Sequence, residues 1–183
     1  ITKCASTSMK IHLWELTENK VFAKKNNMQN KYDKSFAKQI IKINSSEANK
    51  NHYTNFTIVR DPYTRFESMY NDLCLSRTDR GKLAGCKKGW KMNDLIDFIA
   101  SHNNPLERLD VHFLEQHRFI EKSENIIILK MEEIDTVEWK LPFPKMTHKL
   151  NNTESNKKLS DKLKEKVYNF YKKDFEMFGY SSD

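Results

Sequence analysis

Glycine is scarce in this chain. There are four in 183 residues, and none falls in the G-x-x-x-x-G-K-[ST] spacing of a nucleotide-binding P-loop. A kinase of that type is therefore disfavoured, because it needs the glycine-rich cradle as well as an acidic residue for magnesium. Cysteine is rarer still. Cys4, Cys74 and Cys86 are too few and too scattered for a zinc site. Cys74 and Cys86 flank the stretch LSRTDRGKLAG, and they read equally well as a pair in an oxidising compartment or as two reduced thiols. No apolar run approaches a membrane span, and the first residues show no signal-peptide pattern. Internal repeats and a second domain are also missing. The chain starts abruptly on what reads as a core strand, so the expectation is one domain over 1–183 from which an upstream anchor or tag is missing.

What is present suits a folded domain. Apolar residues make up 38% and aromatics 11%, spread along the chain, which argues against disorder. The formal net charge of +7 favours anionic partners: nucleotides, nucleic acid, sulfated or carboxylated glycans, or a membrane surface. A Lys/Asn-rich composition gives the same surplus without any such partner, so charge does not name the ligand. No recognised nucleic-acid motif accompanies it.

Periodicity organises the chain as short strands alternating with helices, the pattern of an α/β domain with a parallel sheet. A strand should close over 2–5, followed by a helix over 8–18 with Met9, Leu13 and Leu16 on one side. Residues 19–34 are polar without a clear period, and 36–43 are apolar at mixed spacing. FTIV at 56–59 reads as a strand ending at Arg60-Asp61-Pro62, with proline suited to the first turn of a helix. Phe66, Met69, Tyr70 and Leu73 form its apolar stripe, leaving Arg65, Ser68 and Asp72 on the opposite face. Residues 76–91 read as a basic loop, 92–100 as a helix with Leu95, Ile96 and Ile99 inward, and 106–120 as another helix. NIIILKM at 125–131 reads as a buried strand by its continuous apolar run. Residues 141–155 form a polar loop, and 160–178 a final helix carrying Leu163, Val167, Phe170 and Tyr171.

Two stretches carry anion chemistry. ITKCASTSMK places small hydroxyl residues at a strand-to-helix junction, where outward N–H groups and the helix dipole favour negative charge. Ser6, Thr7 and Ser8 add hydroxyl donors there, and Lys3 and Lys10 add full charges. A serine-rich helix cap is the alternative. In IVRDPYTRFESMY, Arg60 stands where a strand ends and Ser68 about two helical turns later. A guanidinium fork with a hydroxyl suits a phosphate monoester; a local Arg60–Asp61 ion pair is the alternative.

Together these stretches resemble the sulfotransferase superfamily, whose enzymes use 3′-phosphoadenosine 5′-phosphosulfate (PAPS), most closely its Golgi carbohydrate branch, sulfotransferase family 2. TKCASTSMK resembles the 5′-phosphosulfate loop, with Thr2 where proline is usual, and IVRDPYTRFESMY the 3′-phosphate motif. DVHFLEQ is similar to the branch's His-aromatic motif, with Phe113 in place of tryptophan. NIIILKMEEID is similar to its strand and acidic segment, and YKKDFEMFGYS to its C-terminal signature. The resemblance spans almost the whole chain. It implies a P-loop-like three-layer fold with a short parallel sheet flanked by helices, and transfer of a sulfuryl group from PAPS, without metal, to a hydroxyl on a carbohydrate.

The resemblance also implies roles. Lys3 would stabilise the leaving phosphate, Ala5, Ser6, Thr7 and Ser8 would hold the 5′-phosphate, and Arg60 and Ser68 the 3′-phosphate. Thr147 and Lys149, in MTHKLNNTES, would close over the cofactor, a merely solvated loop being the alternative for them. His112 is the candidate general base, with a packing role on its helix as the alternative, Glu115 in reserve, and His12 and His52 less well sited. Animal relatives are Golgi type II membrane proteins, whereas a bacterial or viral enzyme would be cytoplasmic. Two other functions stay open: a non-catalytic nucleotide- or glycan-binding module, and a P-loop-like small-molecule kinase.

Overall fold

The computed structural model describes residues 4, 8, 9, 12, 13, 15, 16, 54–76, 78–101, 110–136, 138, 139, 141–145 and 159–182. The architecture they build is mixed α/β. Strand β1 (Asn55–Val59) pairs in parallel with β2 (Ile126–Lys130), Ile58 lying opposite Leu129. Side chains alternate across a strand, and the packing follows that rule. Phe56, Ile58, Ile127 and Leu129 share one cluster with Cys4, Met9, Ile134 and Leu141. Val59 and Ile126 point the other way, against Ile120 and Phe178. Only one face of β2 is deeply covered, because Ile128 is 40% exposed; the apolar run overstated its burial.

Helix α1 (Pro62–Tyr70) follows β1 after two residues. Pro62 opens it where no N–H is needed, and the Asp61 side chain accepts from Thr64 N–H at 2.9 Å, satisfying one orphan donor of the first turn. The helix continues into a π turn, Asn71–Ser76. The next stretch is not a loop throughout: Thr78–Leu83 is a short helix, α2. Gly81 allows this, since a Cβ there would stand 1.9 Å from the Leu73 carbonyl oxygen. Gly85 then turns the chain at φ +93°, close under Phe98. Cys74 and Cys86 are buried free thiols on either side of this contact. A hydrogen bond between them raises the Cys74 pKa and lowers that of Cys86.

Helix α3 (Met92–Ala100) buries Leu95, Ile96 and Ile99 as its periodicity predicts. Helix α4 (Asp161–Phe178) starts at Ser160 and ends on left-handed Gly179. Leu163, Val167, Tyr171 and Phe175 join Phe66, Met69, Leu73 and the α3 residues in the main core. Ser8, Met9, His12, Leu13, Glu15 and Leu16 are helical as expected, but Leu16 is 40% exposed and leaves the apolar side to Met9 and Leu13, with His12 buried beside them. Cys4 sits in a bend. The rest of the expected first strand, and the segments 19–34, 36–43 and 146–155, lie outside the described residues.

The expected helix over 106–120 does not form across 110–116, where the backbone makes turns and bends before a single 3₁₀ turn at His117–Phe119. Side chains from elsewhere have taken its backbone groups. Arg65 Nη2 donates to the carbonyls of His112 (3.1 Å) and Leu114 (2.8 Å). Tyr171 donates its hydroxyl to the Phe113 carbonyl at 2.9 Å. Asp174 accepts the N–H groups of Gln116 (2.7 Å) and His117 (2.8 Å). Arg65 is therefore buried, not on an outer face with Ser68 and Asp72; Ser68 is buried as well.

Candidate functional site

The C-terminal end of β1 is the natural place for a ligand in a parallel sheet, and Arg60 is the next residue. Its Nε donates to Thr64 Oγ1 at 3.0 Å, so the guanidinium lies along the first turn of α1. Asp61 caps the helix through the Thr64 N–H, and the Arg60 charge is the smallest of the influences on its pKa, so capping, not the local ion pair, is its main task. Ser68 stands one turn beyond Thr64 on the same helical face. It is buried, and among the described residues nothing hydrogen-bonds its hydroxyl. A buried hydroxyl in that condition calls for a partner, and an anion held by Arg60 would supply one.

The second anion stretch reaches the same place through Cys4. Gln116, with no exposed surface, accepts the Cys4 thiol at 3.0 Å and the Arg60 N–H at 2.9 Å on its Oε1. Its Nε2 donates to the Arg60 carbonyl at 2.8 Å. The two charged stretches thus meet at one carboxamide. Burial pushes the Cys4 thiol pKa up despite nearby Arg65 and Arg60, so this thiol stays a neutral donor.

His112 sits in the turn just before that residue and is also buried. Its backbone N–H donates to Asp110 Oδ1 at 2.9 Å, and its Nδ1 makes a short contact to the same oxygen. A carboxylate on Nδ1 holds the proton there and leaves Nε2 as the acceptor. Burial lowers the His112 pKa, partly offset by Asp110. For Asp110, burial raises the pKa, but the hydrogen bonds from His112 outweigh it and the net shift is downward. The result is an imidazole that is neutral at pH 7 and oriented. Glu115, held in reserve on helical geometry, is instead ion-paired with Arg118 through Arg118 Nε and is not on a helix.

A third connection closes the frame. Glu132, two residues past the end of β2, accepts the Asp61 N–H at 2.9 Å and the Tyr180 hydroxyl at 2.9 Å. Burial raises the Asp61 pKa, its hydrogen bonds to Thr64 opposing. The C-terminal segment thereby fastens the ends of both strands. The groove lined by Tyr63, Asp161, Lys164, Glu165, Tyr168 and Ser182 includes none of the predicted site residues.

Of the residues expected to form the site, Ser8 is helical and buried, and Arg60, Ser68 and His112 are as described above. Lys3, Ala5, Ser6, Thr7, Thr147 and Lys149 lie outside the described residues, as does His52. His12 is buried, with Nε2 2.7 Å from the Pro144 carbonyl, which gives it a structural role.

Compared with protein-family models, residues 1–138 match the sulfotransferase family, family 2. The chain belongs to the sulfotransferase family. Comparison with curated proteins and with solved structures returns no match. The matched part of this sulfotransferase contains Arg60, Ser68, His112 and Gln116, while Tyr171, Asp174 and Tyr180 lie beyond it and still bond into its frame.

Sequence reasoning missed Gln116, Arg65 and Asp174 as determinants of the site. Asp174 did leave a signal. It falls on the apolar stripe of α4 with Leu163, Val167, Tyr171 and Phe178, where a carboxylate is expected only if it is fully bonded. Arg65 and Gln116 left none, because their partners, chiefly backbone groups and for Gln116 also the Cys4 thiol, lie some fifty residues distant or more.

Proposed function

We propose that this sulfotransferase moves the sulfuryl group of PAPS to a hydroxyl of a carbohydrate acceptor, without metal, on the P-loop-like three-layer fold that goes with that activity. The observation that carries the reading is the meeting of the two anion stretches at Gln116. PAPS has phosphate at two ends and needs two anion sites at a fixed separation. Arg60 and the buried Ser68 hydroxyl suit the 3′-phosphate. Lys3 and the donors of Ala5, Ser6, Thr7 and Ser8 suit the 5′ end, and Thr147 and Lys149 close over the nucleotide.

In the reaction the acceptor oxygen attacks sulfur in line while the bond from sulfur to the phosphate oxygen breaks. The loose transition state asks chiefly for positioning and for charge on the departing oxygen. Lys3 supplies that charge. His112 Nε2 takes the acceptor proton, its neutrality favoured by burial and its orientation by Asp110. PAP, the bisphosphate product, leaves.

Thermal shift with PAP, with ATP and magnesium, and with an oligonucleotide separates the classes of function. Selective stabilisation by PAP is expected. Stabilisation by ATP–magnesium alone would point to a kinase, and by the oligonucleotide alone to a nucleic-acid binder. Labelled PAPS with a panel of glycan acceptors then distinguishes an enzyme from a binding module, which would bind PAP and transfer nothing.

A further inference from the structure

The carboxamide of Gln116 does more than fill a buried space. It pairs with both backbone groups of Arg60, as a neighbouring strand would, just where the β1–β2 ladder ends at Val59 and Lys130. The same Oε1 receives the Cys4 thiol from the segment that carries Lys3 and Ala5. The backbone of Gln116 is itself held at the Asp174 carboxylate, so its side chain projects from a fixed root. His112 lies in the same run of turns, whose carbonyls Arg65 and Tyr171 hold.

We propose that Gln116 is a positioning residue that sets the separation of the two anion sites, and that it acts through the Arg60 backbone and Cys4, not by touching the nucleotide. The inference rests on the reading of those stretches as the two ends of a PAPS site. Its physical consequence is selective. A ligand gripped at both ends senses the separation of the sites, whereas a ligand gripped at one end does not.

The test measures binding of PAP, 3′-AMP and 5′-AMP by calorimetry to the full chain and to Gln116→Leu and Gln116→Glu. Leucine removes all three bonds at similar size. Glutamate keeps the acceptor for Arg60 N–H and Cys4 but sets a carboxylate oxygen against the Arg60 carbonyl, and regains a donor there only when protonated. The expected result is a loss of about tenfold or more in PAP affinity for Gln116→Leu, with 3′-AMP and 5′-AMP within about twofold of wild type. Gln116→Glu should recover PAP affinity relative to wild type as the pH is lowered, which a general loss of packing would not do. It also serves as the decisive variant if Gln116→Leu fails to fold.

Equal losses for all three ligands, unchanged PAP affinity, or a Gln116→Glu defect independent of pH would each overturn the proposal. Failure of the underlying reading looks different. Wild-type protein that does not bind PAP removes the PAPS site, and this inference with it, before any variant is compared.

Discussion

Replacing Asp174 tests how the site is held. The carboxylate has no exposed surface and accepts the N–H of Gln116 at 2.7 Å and of His117 at 2.8 Å, with His117 Nδ1 at 2.9 Å. Asp174→Ala leaves two buried backbone donors without an acceptor. Each costs ~1–3 kcal/mol, giving about 2–6 kcal/mol against a total stability of ~5–15 kcal/mol for a domain. With a urea slope of ~2 kcal/mol per molar, the unfolding midpoint should fall by about 1–3 M at unchanged slope. Asp174→Asn keeps one acceptor and turns an amide donor toward the other N–H, so its midpoint should fall between the two. PAP affinity should fall in both variants at denaturant concentrations where each remains folded, because Gln116 loses its root. A midpoint shift below about 0.3 M for Asp174→Ala, or PAP affinity equal to wild type, would show that the 112–117 turns are held by something else.

Other perturbations read separate parts of the account. Lys3→Ala should lower kcat far more than it weakens PAP, since its charge matters most as the leaving phosphate develops its own; single-turnover assays beside calorimetry check this. His112→Ala and His112→Gln should both abolish turnover and leave PAP binding nearly intact, and a stable, active His112→Ala enzyme would refute the assignment. The wild-type rate should rise with pH through a pKa below the ordinary histidine value of 6.5 and be flat above it. Stability should follow the same sense. A histidine whose folded pKa is depressed binds fewer protons folded than unfolded, so its contribution is complete above 6.5 and is lost as pH falls. The depressed Asp110 pKa adds a loss at lower pH still; melting temperature against pH checks both. Gly81→Ala should lower the melting temperature markedly, because the new methyl meets a backbone oxygen that cannot turn aside.

Local signals made much of this protein legible. FTIV followed by Arg-Asp-Pro declares a strand, a cap and a helix start, because proline and aspartate act on their immediate neighbours. The stripe on α3 and the Ser160-to-Gly179 span of α4 are equally local. What escaped was non-local. Apolar spacing over 106–120 suggests a helix, yet three buried side chains, Arg65, Tyr171 and Asp174, take over backbone groups there. The helix α2 inside the basic stretch depends on a glycine that fits against a carbonyl eight residues earlier. For the site, Arg60 and Ser68 stand out by spacing within one motif, while the amide joining Arg60 to Cys4 becomes visible only once the chain is folded.

The central claim is a PAPS site whose 3′-phosphate is held by Arg60. Calorimetry of PAP in metal-free buffer, on wild type and on a folded Arg60→Ala variant, tests it most directly. The account predicts metal-independent binding that weakens by ~2 kcal/mol, about thirtyfold, when the charge-assisted pair is removed. Wild-type binding that requires a divalent cation, or equal PAP affinity in the two proteins, would contradict it.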